Sequence, residues 1–404
     1  MRRIIACACL SLAAHAAAAP AEPRHTVAPS LAAEAAAACK GAGAPRSLDD
    51  FALVRLARRM SEPTAPMLRC KENKALALRI ARTVADGPSP ASGEAFALLA
   101  RFAATGVGAS ADQSAAERNR RFAWLLGAWQ PGGEPFADRA ARTAFLASPE
   151  TIALLRAKAK PDWALQTRLH LARALLARGG TADLVEAGHV AAEPAIAALN
   201  EGKVLAARLA LAGGPSPVQA SEATAMLRRA AIGPPGRWEG DDARAALLAV
   251  ARRSLATAHT DIERWDTIRD LALAAFAGDE EALGIFRGAV ARANGGKSPA
   301  TLSKEEARLA GAEWRLRPGI TSEDYPSGAL RAGTQGDVQL RVLIDPLGRS
   351  IYTEAMGSGQ DAVLVEATRR IYASRLTGEA ILPQPRPTLY IWAPLQAISF
   401  RTGG

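Results

Sequence analysis

Apolar residues recur at spacings of three and four along residues 46–316, which is the helical period. Stretches fitting a helix are 48–60, 73–85, 93–104, 115–129, 163–178, 202–212, 220–231, 242–255, 261–277 and 280–293. In one of them Leu165, Leu169, Ala172, Leu175 and Leu176 line a single stripe. Glycine, proline, serine and aspartate supply the breaks, as at 106–108, 179–180, 213–214 and 233–240. Beyond Trp314 the period changes to two: Val338, Leu340, Val342 and Ile344 alternate with Asp337, Gln339 and Arg341, the clearest strand pattern in the chain.

The rest of the C-terminal stretch is read around that strand. Tyr325-Pro326 opens a short helix with proline in its first turn, and Gly333 ends it in a left-handed conformation. Asp345-Pro346-Leu347-Gly348 is a turn, and residues 349–356 return as the second strand of a hairpin. Ser358 with Asp361 forms a capping-box pattern that starts a helix running to about residue 376, with Val363, Leu364, Ala367 and Ile371 on its apolar side. Glu366 and Arg370 form a favourable pair outside. Residues 389–400 read as a last strand, and Pro394 makes it an edge or bulged strand.

Within the helical part, segments 171–180 and 205–214 echo one another at an offset of 34 residues, the period of a tetratricopeptide-like helical pair, and 99–108 is a poorer copy. The aromatic marker positions of that repeat are mostly missing. The reading is therefore an α-helical hairpin array, with an irregular alanine-rich helical domain as the alternative. Alanine favours both, because it has the best helix propensity and lets backbones approach.

The C-terminal stretch resembles the TonB C-terminal domain. The residues that carry the resemblance are Asp324, Tyr325, Pro326, Ala329, Gly333, Gly336, Asp337, Val338, Val342, Ile344, Asp345, Gly348, Arg349, Ser358, Gly359, Leu364 and Ala367, with the closing Ile398, Ser399 and Phe400. They cover residues 318–402, about a fifth of the chain. The resemblance implies a small β-hairpin–helix–strand unit without chemistry, which binds an extended segment of an outer-membrane receptor by adding it to a sheet edge. Carried onto this chain, the edge is 389–400, with Tyr390, Trp392, Gln396 and Ile398 near the contact. The alternative is that these side chains pack the domain's own core or its junction with the helices. Tyr325 and Pro326 shape the fold. The chain departs from an energy-transducing TonB in lacking a convincing membrane-spanning helix and a long proline-rich linker, which puts energy transduction in doubt.

The overall expectation is an α+β fold. It comprises a signal peptide over 1–20, a flexible arm over 21–45, a helical repeat-like domain over 46–316 and a TonB-like domain over 317–404. Arg2 and Arg3, the apolar run 4–14 and the small residues 16–19 form the signal, with a cut between about 16 and 21. An uncleaved inner-membrane anchor is the rival, opposed by the short run and by His15. Export makes the remaining pair Cys39 and Cys70 a disulfide, tying the arm to the first helices. Two separate buried thiols are the alternative.

Lysine and arginine outnumber aspartate and glutamate 50 to 40, a formal charge of +10. The arginines are scattered through helical patterns, so they read as solvated helix faces with a weak attraction to anionic envelope surfaces. Export argues against nucleic acid. Phosphate-loop, nucleophile-elbow and zinc spacings do not occur, so neither cofactor nor metal is assigned, and the chain is read as a non-enzyme. His170, His189 and His259 sit singly on helical stretches and read as surface or packed residues. The expected partner is an outer-membrane receptor or another envelope protein, and no oligomeric state is assigned. A scaffold in which the C-terminal domain only caps the helices is the second reading. An envelope glycan-acting enzyme, which requires paired carboxylates in a deep pocket, is the third.

Overall fold

The computed structural model describes residues 28–39, 48–61, 70–107, 110–128, 135–162, 164–234, 237–303, 305–306, 324–356, 360–376, 389–393 and 396–401. Residues 1–20, read as a signal peptide, all of 40–47, and Ser358 and Gly359 lie outside them. The fold is α+β, mostly helical with a small mixed sheet. It divides into two units, one of residues 1–142 with 153–167, the other of 143–152 with 168–404.

The first unit contains α1 (Pro29–Ala38), α2 (Asp50–Ser61), α3 (Lys74–Asp86), α4 (Ser92–Thr105) and α5 (Gln113–Leu125). Each of α2 to α5 packs mainly on its neighbour in sequence. The starts are fixed by side-chain caps: Asp49 Oδ1 accepts from the Ala52 amide at 2.6 Å, Asn73 Oδ1 from Leu76 at 3.0 Å, and Asp112 Oδ1 from Ala115 at 2.9 Å. Gly106, at φ 71°, ends α4 as a left-handed cap. Gly93 lets α4 approach the end of α5, since a Cβ there would lie 2.8 Å from the Leu126 carbonyl oxygen. The Lys158 ammonium donates to the Ala85 and Gly87 carbonyls and, at 3.1 Å, to Ser92 Oγ, which satisfies the C-terminal end of α3.

The Cys39–Cys70 disulfide is present. The residues before it are not wholly an arm: an alanine-rich run with proline in its first turn forms α1.

The elements α6 (Arg139–Ala147), α7 (Pro149–Lys158) and α8 (Leu165–Arg178) follow, then α9 (Thr181–Ala192), α10 (Pro194–Ala197), α11 (Asn200–Leu211), α12 (Ala220–Ala231), α13 (Trp238–Thr257), α14 (Asp261–Ala274) and α15 (Glu280–Ala293). The echoed segments correspond to the ends of α8 and α11, where Gly179 and Gly213 both sit at φ 75°. The poorer copy is out of step, because its left-handed glycine is Gly106.

The sheet follows. β1 (Ala300–Thr301) precedes α16 (Ser327–Arg331), β2 (Gly336–Ile344), β3 (Ser350–Ala355), α17 (Ala362–Leu376), β4 (Ile391–Trp392) and β5 (Gln396–Phe400). β2 is the spine. It pairs antiparallel with β3 on one side and with β4 and β5 on the other, while β1 joins β4 in parallel. Leu343 faces Trp392 and Leu340 faces Gln396, so three steps along β2 match four along the last strand. That one-residue advance is the bulge expected around Pro394.

Both faces of this sheet are covered. Val338, Leu340, Val342 and Ile344 join Leu364, Ile371, Tyr372, Ile398 and Phe400 in a core against α17. On the other face Leu343, Ile351, Tyr352, Tyr390 and Trp392 share a core with Leu247, Leu271, Phe286 and Val290 of α13 to α15. The change of period placed at residue 316 is therefore not a break in packing, and β1 lies inside the stretch read as helical.

Several local expectations shift. Pro326 is the N-cap of α16, one position before the first turn. Val363 is 52% exposed and Tyr372 takes its place on the buried side of α17. Asp361 caps α17, accepting from Val363 at 2.9 Å and Leu364 at 3.1 Å, while its expected capping-box partner Ser358 lies outside the described residues. Gly333, at φ 65°, ends α16 as expected, with Thr334 donating to the Ala329 carbonyl at 2.9 Å.

Asn294, at the end of α15, joins helices to sheet. Its amide donates to the Tyr390 carbonyl at 3.0 Å and accepts from the Tyr390 amide at 2.9 Å. Asn294→Ala leaves two buried backbone groups without partners, and urea unfolding is expected to show a loss of about 2–4 kcal/mol. A loss below about 0.5 kcal/mol, the range of ordinary surface changes, would contradict the clamp.

Candidate functional site

The backbone of β2 determines which strand edge is free. The Ala393 amide donates to the Val342 carbonyl at 2.8 Å, so even-numbered residues of β2 turn their backbone toward β4 and β5. The odd-numbered Gln339 turns the other way. Its carbonyl accepts from Met356 at 2.8 Å and its amide donates to Gln360 Oε1 at 3.1 Å. Gln360 also donates to the Met356 carbonyl, so its side-chain amide extends the ladder beyond β3.

Antiparallel partners alternate between pairs that exchange hydrogen bonds and pairs that do not. Gly336–Phe400, Val338–Ile398 and Leu340–Gln396 are therefore the exchanging pairs. Ala397 and Ser399 face Gln339 and Asp337 across the non-exchanging positions. Their N–H and C=O groups point to the outer edge of β5, where the described residues supply no further strand.

The side chains of β5 divide by the same period. Ile398 and Phe400 are buried, with the Phe400 ring edge-on to Tyr325 at 5.4 Å. The Tyr325 hydroxyl donates to the Thr334 carbonyl, so Tyr325 does shape the fold. Ala397 and Ser399 are exposed. Ser399 Oγ donates to Asp337 Oδ1 at 2.6 Å and Arg401 donates to the same oxygen at 2.8 Å. The serine hydrogen bond, then the Arg401 charge, hold the Asp337 carboxyl below its ordinary range.

Of the residues expected at the contact, Tyr390, Trp392 and Ile398 are buried. Tyr390 is 1% exposed, inside the core shared by helices and sheet, and burial pushes its hydroxyl well above the usual tyrosine range. Trp392 lies in the same core beneath the Arg341 guanidinium, 4.0 Å from its ring centre. β4 also has both edges occupied, by β1 and β2. Ile398 points into the α17 core. Gln396 pairs through its backbone with Leu340, and its side chain lies outside the described residues. Within 389–400, outward backbone on an otherwise unpaired edge is described only in β5, at Ala397 and Ser399. Large aromatic surfaces are best buried, and α13 to α15 supply the cover. Of the fold-motif residues, Gly336 begins β2, and Gly348, at φ 76°, closes the turn in which Asp345 Oδ1 accepts from Leu347 and Arg349 at 2.9 Å.

The other polar clusters are paired. Arg173, 2% exposed, donates to Asp242 at 2.8 Å and lies 4.6 Å from the Trp238 ring centre, while Arg208 meets the other Asp242 oxygen at 2.9 Å. Buried or half-buried carboxylates at Asp183, Asp242, Asp270 and Asp345 each meet an arginine. That is the pattern of structural ion pairs. Among the described residues no three metal-ligating side chains converge, and no helix is long and apolar enough to cross a membrane.

His170 is a packed histidine. Arg173 Nη1 lies 3.4 Å from His170 Nδ1, and because a guanidinium only donates, that nitrogen must accept. Burial first, then the Arg173 charge, lower its pKa from 6.5 to about 3. Between those values the unfolded chain binds a proton that the folded chain does not. Stability therefore falls as the pH drops from 6.5 toward about 3, by up to about 1.4 kcal/mol per unit. His170→Gln is expected to flatten that part of the profile in chemical unfolding measured from pH 7.5 to 4.5. Parallel profiles for the two proteins would show that His170 does not titrate on unfolding.

No family model, no curated protein and no solved structure matches this chain.

Proposed function

We propose that this chain is an exported, non-catalytic interaction protein of the periplasm, and that the outer edge of β5 takes up an extended segment of an outer-membrane receptor or another envelope protein. The observation that carries this reading is the outward backbone of Ala397 and Ser399 on a strand whose other edge is paired. Strand addition needs a row of free main-chain groups and an accessible flank. The TonB-like pattern of Tyr325, Pro326, Gly336, Gly348 and the closing strand supports the same role, with energy transduction left out of it. The helices stand where a transducer would carry a linker, and as a tetratricopeptide-like array they would hold a second partner.

One observation favours a second reading. Tyr390 and Trp392 are consumed in the core between the sheet and α13 to α15, as expected if the sheet caps a helical scaffold.

The two readings separate at β5. A photo-crosslinker at Ala397 in the exported protein is expected to capture an extended segment of an envelope protein. Ser399→Pro removes one outward N–H and adds bulk at the edge, while the ladder to β2 runs through Gln396, Ile398 and Phe400. Capture should then fall about tenfold, the equivalent of about 1.4 kcal/mol, with the unfolding midpoint nearly unchanged. Capture confined to the chain's own helices, or capture indifferent to Ser399→Pro, would sink the strand-addition role and leave the scaffold.

A further inference from the structure

α1 is attached to the first unit in an unusual way. Of its ten residues only Ala32 and Ala35 are buried, and the helix packs on α2. Its N-cap, Ala28, makes no side-chain capping bond, its first turn has no acidic residue and its last turn no basic one. An isolated helix shorter than about 12–15 residues is marginal in water. Among the described residues the polar ties are few. Arg79 donates to Glu34 at 2.5 Å, between side chains that are both more than half exposed, and Lys71 donates to the Ala38 carbonyl at 2.8 Å. An exposed pair of that kind contributes little. Among the described residues the remaining tie is the disulfide from Cys39, directly after the helix, to Cys70, in the short segment that leads into α3.

The helices beneath are held differently. α2 buries Leu53, Val54, Leu56, Ala57 and Met60, and α3 buries Leu76, Ala77, Ile80, Ala81, Val84 and Ala85. The Asn73 amide also donates to the Met60 carbonyl at 3.1 Å, which joins α2 to α3 without the sulfurs.

We propose that α1 is a redox-held strap: two-electron reduction of Cys39–Cys70 by a dithiol undocks α1 and uncovers the α2 surface under Ala32 and Ala35, while α2 and α3 stay folded. The sulfurs differ in access, since Cys39 is 1% exposed and Cys70 is half-buried. A thiolate of the dithiol attacks Cys70 Sγ, and Cys39 leaves as a thiolate and takes a proton. The second thiol of the dithiol attacks the mixed disulfide, and Cys70 leaves and takes a proton. The dithiol departs as a disulfide, having given up two electrons and two protons. The exposed Glu34–Arg79 pair is then free to separate.

The test is hydrogen–deuterium exchange of the full mature chain, oxidised and after dithiothreitol, with alkylation to count two thiols. Exchange over 29–38 is expected to speed up at least about tenfold on reduction, a change equivalent to about 1.4 kcal/mol of opening free energy, with α2 and α3 protected as before. Cys39→Ser with Cys70→Ser should give the same pattern without reductant. Oxidised Arg79→Ala should keep α1 protected, because the disulfide rather than the ion pair holds it. Three outcomes would overturn the proposal: unchanged protection of 29–38 with two thiols counted, loss of protection in α2 and α3 together with α1, or a disulfide that the dithiol reaches only in the unfolded chain.

Discussion

β2 carries Val338, Leu340, Val342 and Ile344 on one face and Leu343 on the other, and apolar partners cover both. That double burial constrains the second unit. A strand with one solvated face needs cover on a single side, whereas this one requires α17 on one side and α13 to α15 on the other. Tyr352 and Trp392 follow Leu343 onto the helix side, and Phe286 meets the Tyr352 ring at 5.0 Å. The polar links are placed around this core. Asn294 clamps Tyr390, Arg287 and Arg341 share Glu354, and Arg349 bridges Asp345 in the turn to Asp266 of α14 at 2.9 Å. Moving the sheet off the helices would strand these groups as well as the aromatic surface.

What the sequence made legible follows from where the information is local. The ten helices read from the apolar period all form, several with ends within two residues, because Asn73, Asp112, Asp279 and Thr260 cap them and Gly106, Gly179 and Gly213 end them. The β2–β3 hairpin and the bulge near Pro394 are likewise local consequences of alternation and of a missing N–H. The helices that were missed carry weaker marks. α9 follows Gly179-Gly180, which reads as a break, and α1 is a run of alanine without a polar face. β1 is two residues long and becomes a strand only because Trp392 offers a partner 91 positions away.

The candidate edge was half legible for a related reason. Periodicity identified a strand near 389–400 and proline marked it as an edge, but alternation does not say which face the helices will cover. Tyr390 and Trp392 attract attention as contact residues by type, and by the same type they are the residues a core takes first. Ala397 and Ser399 carry no signal as side chains, since only their backbone direction matters, and that direction depends on the Ala393–Val342 and Met356–Gln339 bonds. The charge was misleading in a similar way. Scattered arginines read as solvated faces, yet Arg173 and Arg244 are 2% and 1% exposed. Arg244 donates to the Ala231 and Gly233 carbonyls at 2.6 and 3.0 Å, closing the end of α12 with a guanidinium, so part of the basic composition is structural.

An open edge is a hazard as well as an opportunity, and β5 shows how the two are balanced. Unprotected edges template pairing with other chains, and natural sheets blunt them with short strands, charge and bulges. β5 is five residues long, follows a bulge and is followed by Arg401, whose guanidinium is tied to Asp337 at 2.8 Å. On the proposed role, these features would limit pairing to a short segment that tolerates a cation at one end. The exposed flank at Ala397 and Ser399 is small, so an added strand meets little steric resistance and little apolar reward. Affinity on such an edge would come from main-chain hydrogen bonds, each contributing about 0.5–1.5 kcal/mol net. Two residues with outward backbone offer four such groups, which supports a weak and reversible attachment rather than a permanent one. A permanent joint needs apolar area of the kind that this chain has already committed around β4, where Tyr390 and Trp392 hold the sheet to its helices.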